Sequence, residues 1–190
     1  MWDVVGAWAA ASVAVLAYLN SLDGEFLFDD LGVINAVRFE KHNKTGGSLR
    51  NLWRGRHWTR PLLYWTYARD VLAHGYRARG WHATNLAIHA VNAVALFAIL
   101  RYWFPGPNAL MGAGLFSVYP LGVASVASIS GRSGLLSMMF YLFAIIAILA
   151  GVWPAAIPAI WIGFGAREDI LLFIPSLLAI GCLLALGAIR

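Results

Sequence analysis

The stretch SGLLSMMFYLFAIIAILAGVWPAAIPAIWIGFGA, residues 133–166, runs for thirty-four residues without a charged side chain. As one helix it would be ~51 Å long at ~1.5 Å per residue, too long for a single crossing of a ~30 Å hydrocarbon core. Gly151-Val152-Trp153-Pro154 interrupts it, because proline cannot continue a helix. The stretch therefore reads as two consecutive spans, 133–151 and 154–166, the second barely long enough to cross. Working outward, 170–189 forms a further span. On the other side, 108–129 forms one with a kink expected at Pro120, and 83–104 forms one that ends at Pro105-Gly106-Pro107. Residues 4–22 make the first span; Asp3 replaces the basic start of a cleavable signal, so this helix is expected to stay. The predicted fold is an all-α polytopic membrane protein of about six transmembrane helices. Five helices with a re-entrant piece is the alternative. One large loop, 23–82, carries short amphipathic helices.

Composition agrees. Of the 190 residues, 61% are apolar and 12% charged, against about 45–50% and about 25% in soluble domains. A disordered chain, a collagen and an ordinary cytosolic enzyme are excluded. The single cysteine, Cys182, excludes an intrachain disulfide framework, and no zinc cluster can be assembled around it. The net charge of +5 is concentrated: ten of the fourteen Lys and Arg lie between Arg38 and Arg79, and six of the nine acids between Asp23 and Asp70. Acids interleaved with the basic residues, and aromatics placed as interface anchors, argue against nucleic acid as a partner. With six crossings the loop shares one membrane face with the turns at Gly131-Arg132 and Arg167-Glu168-Asp169. A pocket there would be polar, basic and acid-containing at once. Counting of basic residues would put this face in the cytoplasm, a rule that weakens for loops near ~60 residues.

Three motifs bear on chemistry. Glu25-Phe26-Leu27-Phe28-Asp29-Asp30 follows the first span. Adjacent carboxylates repel, so one holds its proton more tightly, and a carboxylate in a dry cleft can act as general base for a hydroxyl; a solvated turn or helix N-cap is the plainer reading. His82, Asn85, His89 and Asn92 recur at helical spacing along one face. In lipid that stripe must face protein or a water-filled cavity, either bonding between helices or, at His82 and Asn85, lining a substrate pocket. Two histidines seven apart without a carboxylate cluster point away from a metal site. Arg132 and the Arg167-Glu168-Asp169 triplet sit at the membrane edge, where arginine suits phosphate through its planar fork or else snorkels or pairs internally. From Pro61, a residue suited to a helix start, to His74 the sequence reads as an amphipathic helix with Trp65 and Tyr67 as interface anchors.

An ordered set of short motifs runs through the chain: Phe28-Asp29-Asp30, Ile34-Asn35, Trp53, Arg60-Pro61-Leu62, His74-Gly75, Trp81-His82-Ala83-Thr84-Asn85, Tyr119-Pro120, Ser130-Gly131-Arg132-Ser133-Gly134 and Arg167-Glu168. In this order they resemble the N-terminal half of membrane-embedded GT-C glycosyltransferases, above all the transmembrane and tetratricopeptide-repeat O-mannosyltransferases and their bacterial relatives. The resemblance implies a polyprenyl-phosphate sugar as donor, with no other cofactor firmly implied. It implies that an acid on the first extracytoplasmic loop, Asp29 or alternatively Asp30, deprotonates the acceptor hydroxyl. Arg132, Arg167, Glu168, His82, Asn85 and Arg60 become candidates for the donor phosphate or the pocket around it. It also implies an integral protein of a bacterial inner membrane, with loop 23–82 outside the cytoplasm, membrane lipid and a lipid-linked sugar as partners, and protein partners in the membrane. The short length implies a truncated member of the group. The alternative function is a catalytically silent GT-C-like scaffold, a structural or lipid-binding subunit of a larger membrane complex.

Overall fold

Proline and glycine positions set where the helices stop. A computed structural model describes residues 2–26, 29–42, 59–120 and 122–188. Phe28 and Trp53, two positions of the motif set, lie outside them. The described residues are all helical, without strands: α1 (Trp2–Ala17), α2 (Asp29–His42), α3 (Pro61–His74), α4 (Ala78–Trp103), α5 (Gly106–Val118), α6 (Gly122–Ala127), α7 (Arg132–Leu149), α8 (Ala156–Phe164) and α9 (Ile174–Ala185). Short 3₁₀ turns at Leu19–Asp23, Trp153–Ala155 and Glu168–Phe173 connect them.

Among the described residues three stretches are long and apolar enough to cross a membrane: Ala78–Trp103, Arg132–Leu149 and Glu168–Ala185. The expected six are not reached, for physical reasons visible at each break. Tyr119 is extended before Pro120, the conformation that a following proline favours. The expected span 108–129 therefore divides into α5, thirteen residues or ~20 Å, and the short α6. The break at Pro154 falls as expected but leaves α8 only nine residues. α1 has sixteen residues, just below the ~17 a span requires.

α4 is the axis of the bundle, packed against α1, α5 and α7. α1 runs antiparallel to it. At one end Asp3 Oδ1 lies 3.0 Å from Arg101 Nε, and Arg101 also donates to the Phe104 carbonyl. Gly6 meets the Phe97 ring so closely that any Cβ would overlap it. Further along, the Tyr18 ring stands edge-on to His89 at 5.2 Å, and Gly24 lies beside His82.

The polarity of the bundle is inverted relative to a water-soluble protein. His82, Asn85, His89, Asn92, Ser117, Asp70 and Arg132 are buried, while Trp8, Leu72, Trp161, Leu172 and Leu186 stand exposed. Hydrocarbon around the outer surface accounts for both halves, since polar groups there must find protein partners. In α3, Trp65 is exposed as an interface anchor would be. Tyr67 is not an anchor: it is buried, and its hydroxyl donates to the Ile129 carbonyl at 3.0 Å.

Candidate functional site

Opposite the Asp3–Arg101 end, the bundle gathers its remaining described acids and bases. At the centre is Arg132, fully enclosed at the first residue of α7. Its Nη2 lies 2.6 Å from Asp70 Oδ2 and donates to the Trp81 carbonyl at 3.0 Å. Its Nε donates to Asn85 Oδ1 at 2.7 Å, and Nη1 lies 3.5 Å from Thr66 Oγ1. The rings of Tyr67 and Trp81 flank the guanidinium at 4.9 and 5.7 Å, within cation–π range. Asp70 is held in turn by Thr84 at 2.7 Å. Arg132 forms an internal ion pair, one of the readings open for it, and none of the guanidinium faces solvent.

The loop before Arg132 is tied down equally tightly. Asn85 Nδ2 donates to the Ser128 carbonyl at 2.6 Å. Ser130 N–H donates to Asp30 Oδ1 at 2.9 Å. Gly131 is backed by Ser125 backbone, and a Cβ there would lie 2.6 Å from Ser125 Cα and O, a distance that only glycine avoids. The same burial pushes the Tyr67 phenol well above its usual pKa.

Asp29 and Asp30 occupy the first turn of α2, where the helix dipole favours negative charge. They differ in setting. Asp30 is buried against Ser130, whereas Asp29 is exposed. His82 is buried beside the Gly24–Glu25 backbone and within the field of Asp30. The structure thus places His82, Asn85, Arg132 and Asp30 around one turn.

Arg60, Arg167 and Glu168 form a separate, more open group. Arg60 grips Glu168 with both Nε and Nη2, at 3.1 and 2.8 Å, and this bond raises the Arg60 pKa further. Leu62 N–H donates to the Gly165 carbonyl at 2.9 Å, joining the start of α3 to the turn before Arg167. Arg167 Nε pairs with Asp169 Oδ2 at 2.7 Å. Both border a groove of about 290 Å³ between α4, α5, α6, α7 and the Glu168–Phe173 turn. Among the described residues no group of three His, Cys, Asp or Glu side chains is placed to hold a metal ion.

Asp70, Thr84 and Asp169 were not among the candidate site residues, although Thr84 and Asp169 fall within motifs the sequence singled out. The signal for Asp70 was present: Leu63, Thr66, Tyr67, Asp70 and Val71 share the buried face of α3, so an acid on that stripe required a cation inside the protein. Nothing in the spacing marked Asp169 apart from its neighbour Glu168.

No protein-family model matches the chain, and no solved structure matches it. Curated relatives do. The chain is 29% identical over 138 residues to Protein O-mannosyl-transferase Tmtc1 of Drosophila melanogaster, covering 65% of this chain and 16% of that protein. It is 28% identical over 127 residues to Protein O-mannosyl-transferase TMTC3 of Mus musculus, covering 60% and 14%. It is 30% identical over 144 residues to Protein O-mannosyl-transferase TMTC4 of Homo sapiens, covering 60% and 19%. The chain spans less than a fifth of the length of each of these relatives.

Proposed function

We propose that the chain is a membrane glycosyltransferase-like protein of the GT-C type, transferring a sugar from a polyprenyl-phosphate donor to a hydroxyl acceptor. The observation that carries the reading is the similarity to three proteins named as O-mannosyl-transferases. The geometry supports it, because the acids and bases needed for the chemistry share one end of the bundle. Asp29, exposed beside the fixed Asp30, is the general base. It takes the proton of the acceptor hydroxyl as that oxygen attacks the anomeric carbon. The bond from that carbon to the donor phosphate oxygen breaks, and polyprenyl phosphate leaves with the electron pair. Asp30 positions Asp29 by anchoring the start of α2 to Ser130.

The leaving phosphate needs positive charge placed in advance. Arg132 is enclosed with Asp70, so this role falls to Arg60 and Arg167, whose pairs with Glu168 and Asp169 are partly exposed. Arg132, with Asn85 and His82, instead holds the frame on which the acids sit. In this reading the polar end lies outside the cytoplasm, in a bacterial inner membrane, and membrane lipid surrounds the bundle.

A second reading, a catalytically silent scaffold within a larger membrane complex, is favoured by one observation: the most deeply placed arginine serves structure alone. The two readings part in one experiment. The protein, in lipid nanodiscs with polyprenyl-phosphate mannose and a hydroxyl acceptor peptide, is assayed for transfer. Transfer that Asp29→Asn abolishes supports the enzyme; no transfer by the wild type, alone or with its co-purifying membrane partners, supports the scaffold.

A further inference from the structure

The outer face of α3 and the turn that follows it play no part in the transfer chemistry. Leu63, Thr66, Tyr67, Asp70 and Val71 are buried against the bundle. Trp65, Arg69 and Leu72, at i, i+4 and i+7, share the opposite face. All three stand exposed, Leu72 by 80%. The Arg69 guanidinium lies over the Trp65 ring at 5.7 Å, so cation and aromatic occupy one surface.

Beyond α3 the chain reverses at Gly75, whose φ of 61° is one that glycine adopts freely. Gly80 then brings the start of α4 so close to the His74 ring that any Cβ would overlap it. Beside this hairpin lies an open basin of about 670 Å³, bordered by His74, Tyr76, Arg77 and Arg79. Its charge is one-sided. Between Pro61 and Thr84 the only acid is Asp70, and it is enclosed with Arg132. Asp23 reaches Arg79 at 3.3 Å, but both side chains are largely in solvent, where such a pair is weak. Among the described residues no acid pairs with Arg69 or Arg77.

Water would leave Trp65 and Leu72 without cover, and hydrocarbon would strand the arginines. The headgroup layer of a bilayer suits both, because apolar side chains reach the acyl boundary while guanidinium groups meet phosphate oxygens. The position along the chain agrees. Arg77 and Arg79 flank Ala78, the first residue of the candidate span Ala78–Trp103, and so stand where that span leaves the hydrocarbon. A lipid at that level meets them; an acidic soluble protein would leave Leu72 uncovered.

We propose that the α3–α4 hairpin binds the headgroup of an acidic phospholipid, with Arg77 and Arg79 on its phosphate in the basin and Leu72 and Trp65 along the acyl boundary. The site needs the bundle in a bilayer and nothing of the transfer reaction.

The test titrates the full chain, in a neutral detergent, with phosphatidylglycerol or phosphatidylcholine of equal chain length, and follows bound lipid by native mass spectrometry. An arginine near an acidic lipid surface is worth roughly fivefold in affinity, so two of them make phosphatidylglycerol bind roughly tenfold or more tightly than phosphatidylcholine. Arg77→Gln with Arg79→Gln removes that preference; both positions are exposed, and an unchanged unfolding temperature verifies the fold. Leu72→Glu weakens phosphatidylglycerol binding severalfold and decides the matter if the double variant does not fold. Arg101→Gln, at the opposite end of the bundle, leaves the preference intact. Equal binding of the two lipids to wild type, as for a surface that meets an acidic protein, overturns the proposal. So does a preference that survives the double substitution, or one that Arg101→Gln erases equally. Displacement of the lipid by inorganic phosphate at matched concentration marks a site for a soluble anion and overturns it too.

Discussion

Arg132 Nη2 and Asp70 Oδ2 lie 2.6 Å apart with both side chains closed to solvent. The pair joins α3, a helix outside the three candidate spans, to the first residue of α7. A buried pair is a weak source of net stability but a costly one to halve, because the surviving charge is left without a partner. Arg132→Met or Asp70→Leu alone should therefore destabilise the protein by ~3–5 kcal/mol. The double substitution should recover a large part of that loss. Thermal unfolding in detergent, read as a double-mutant cycle, measures it; additive losses would mean the two residues do not depend on each other.

The two adjacent carboxylates should respond differently. Asp29→Asn keeps shape and hydrogen bonding but cannot take a proton at neutral pH. It should lower transfer by ~10²–10⁴-fold with unchanged unfolding temperature. Asp30→Asn keeps an acceptor for Ser130 N–H and should lower transfer less. Activity assays alongside unfolding curves check both, and wild-type transfer in Asp29→Asn would remove it from the role of base.

Gly131 and Gly6 offer a paired comparison. A Cβ at Gly131 meets backbone atoms of Ser125, whereas one at Gly6 meets the far end of the Phe97 ring. Backbone cannot swing aside as a ring can. Gly131→Ala should cost ~1–3 kcal/mol and disturb Arg132. Gly6→Ala should cost less, and Phe97→Leu should rescue it. Unfolding temperatures of the four variants decide the order.

Tyr67 gives a pH dependence. Its folded-state pKa is raised by burial, so the folded protein holds the phenolic proton after an unfolded chain has released it. Stability from this group is full below the unfolded pKa of ~10 and declines as pH rises above it. Tyr67→Phe should flatten this alkaline decline. It also leaves the Ile129 carbonyl without its donor, at a cost of ~1–3 kcal/mol at neutral pH.

The helices were legible wherever apolar length and proline acted locally. The breaks at Pro105 and Pro154 were read from sequence, as was the inward face carrying His82, Asn85, His89 and Asn92. The number of crossings was not, because Pro120 acts as a full stop rather than a kink. Hydropathy counts residues but does not see that Tyr119 leaves the helix before Pro120, where Ile174 before Pro175 stays helical. Arg132 was visible as an important arginine, yet its partner lies about sixty residues earlier in the chain, and pairing across that distance depends on tertiary contact. Tyr67 and Trp65 are two residues apart on one helix; sequence placed both at the interface, while α3 turns Tyr67 inward. The groove was not legible, since its walls come from five elements.

The distance in sequence between Asp70 and Arg132 sets a schedule for biogenesis. At ~5–20 residues per second of synthesis, the arginine emerges ~3–12 s after the aspartate it will join. Within that interval Thr84 and α4 are made after Asp70, so the site on α3 and α4 is complete before α7 arrives with its leading arginine. The bridge is therefore an assembly checkpoint: the chain closes into its bundle only when α7 arrives with its charged end on the same side as α3. An α7 delivered the other way up would leave one charge stranded on each face of the membrane.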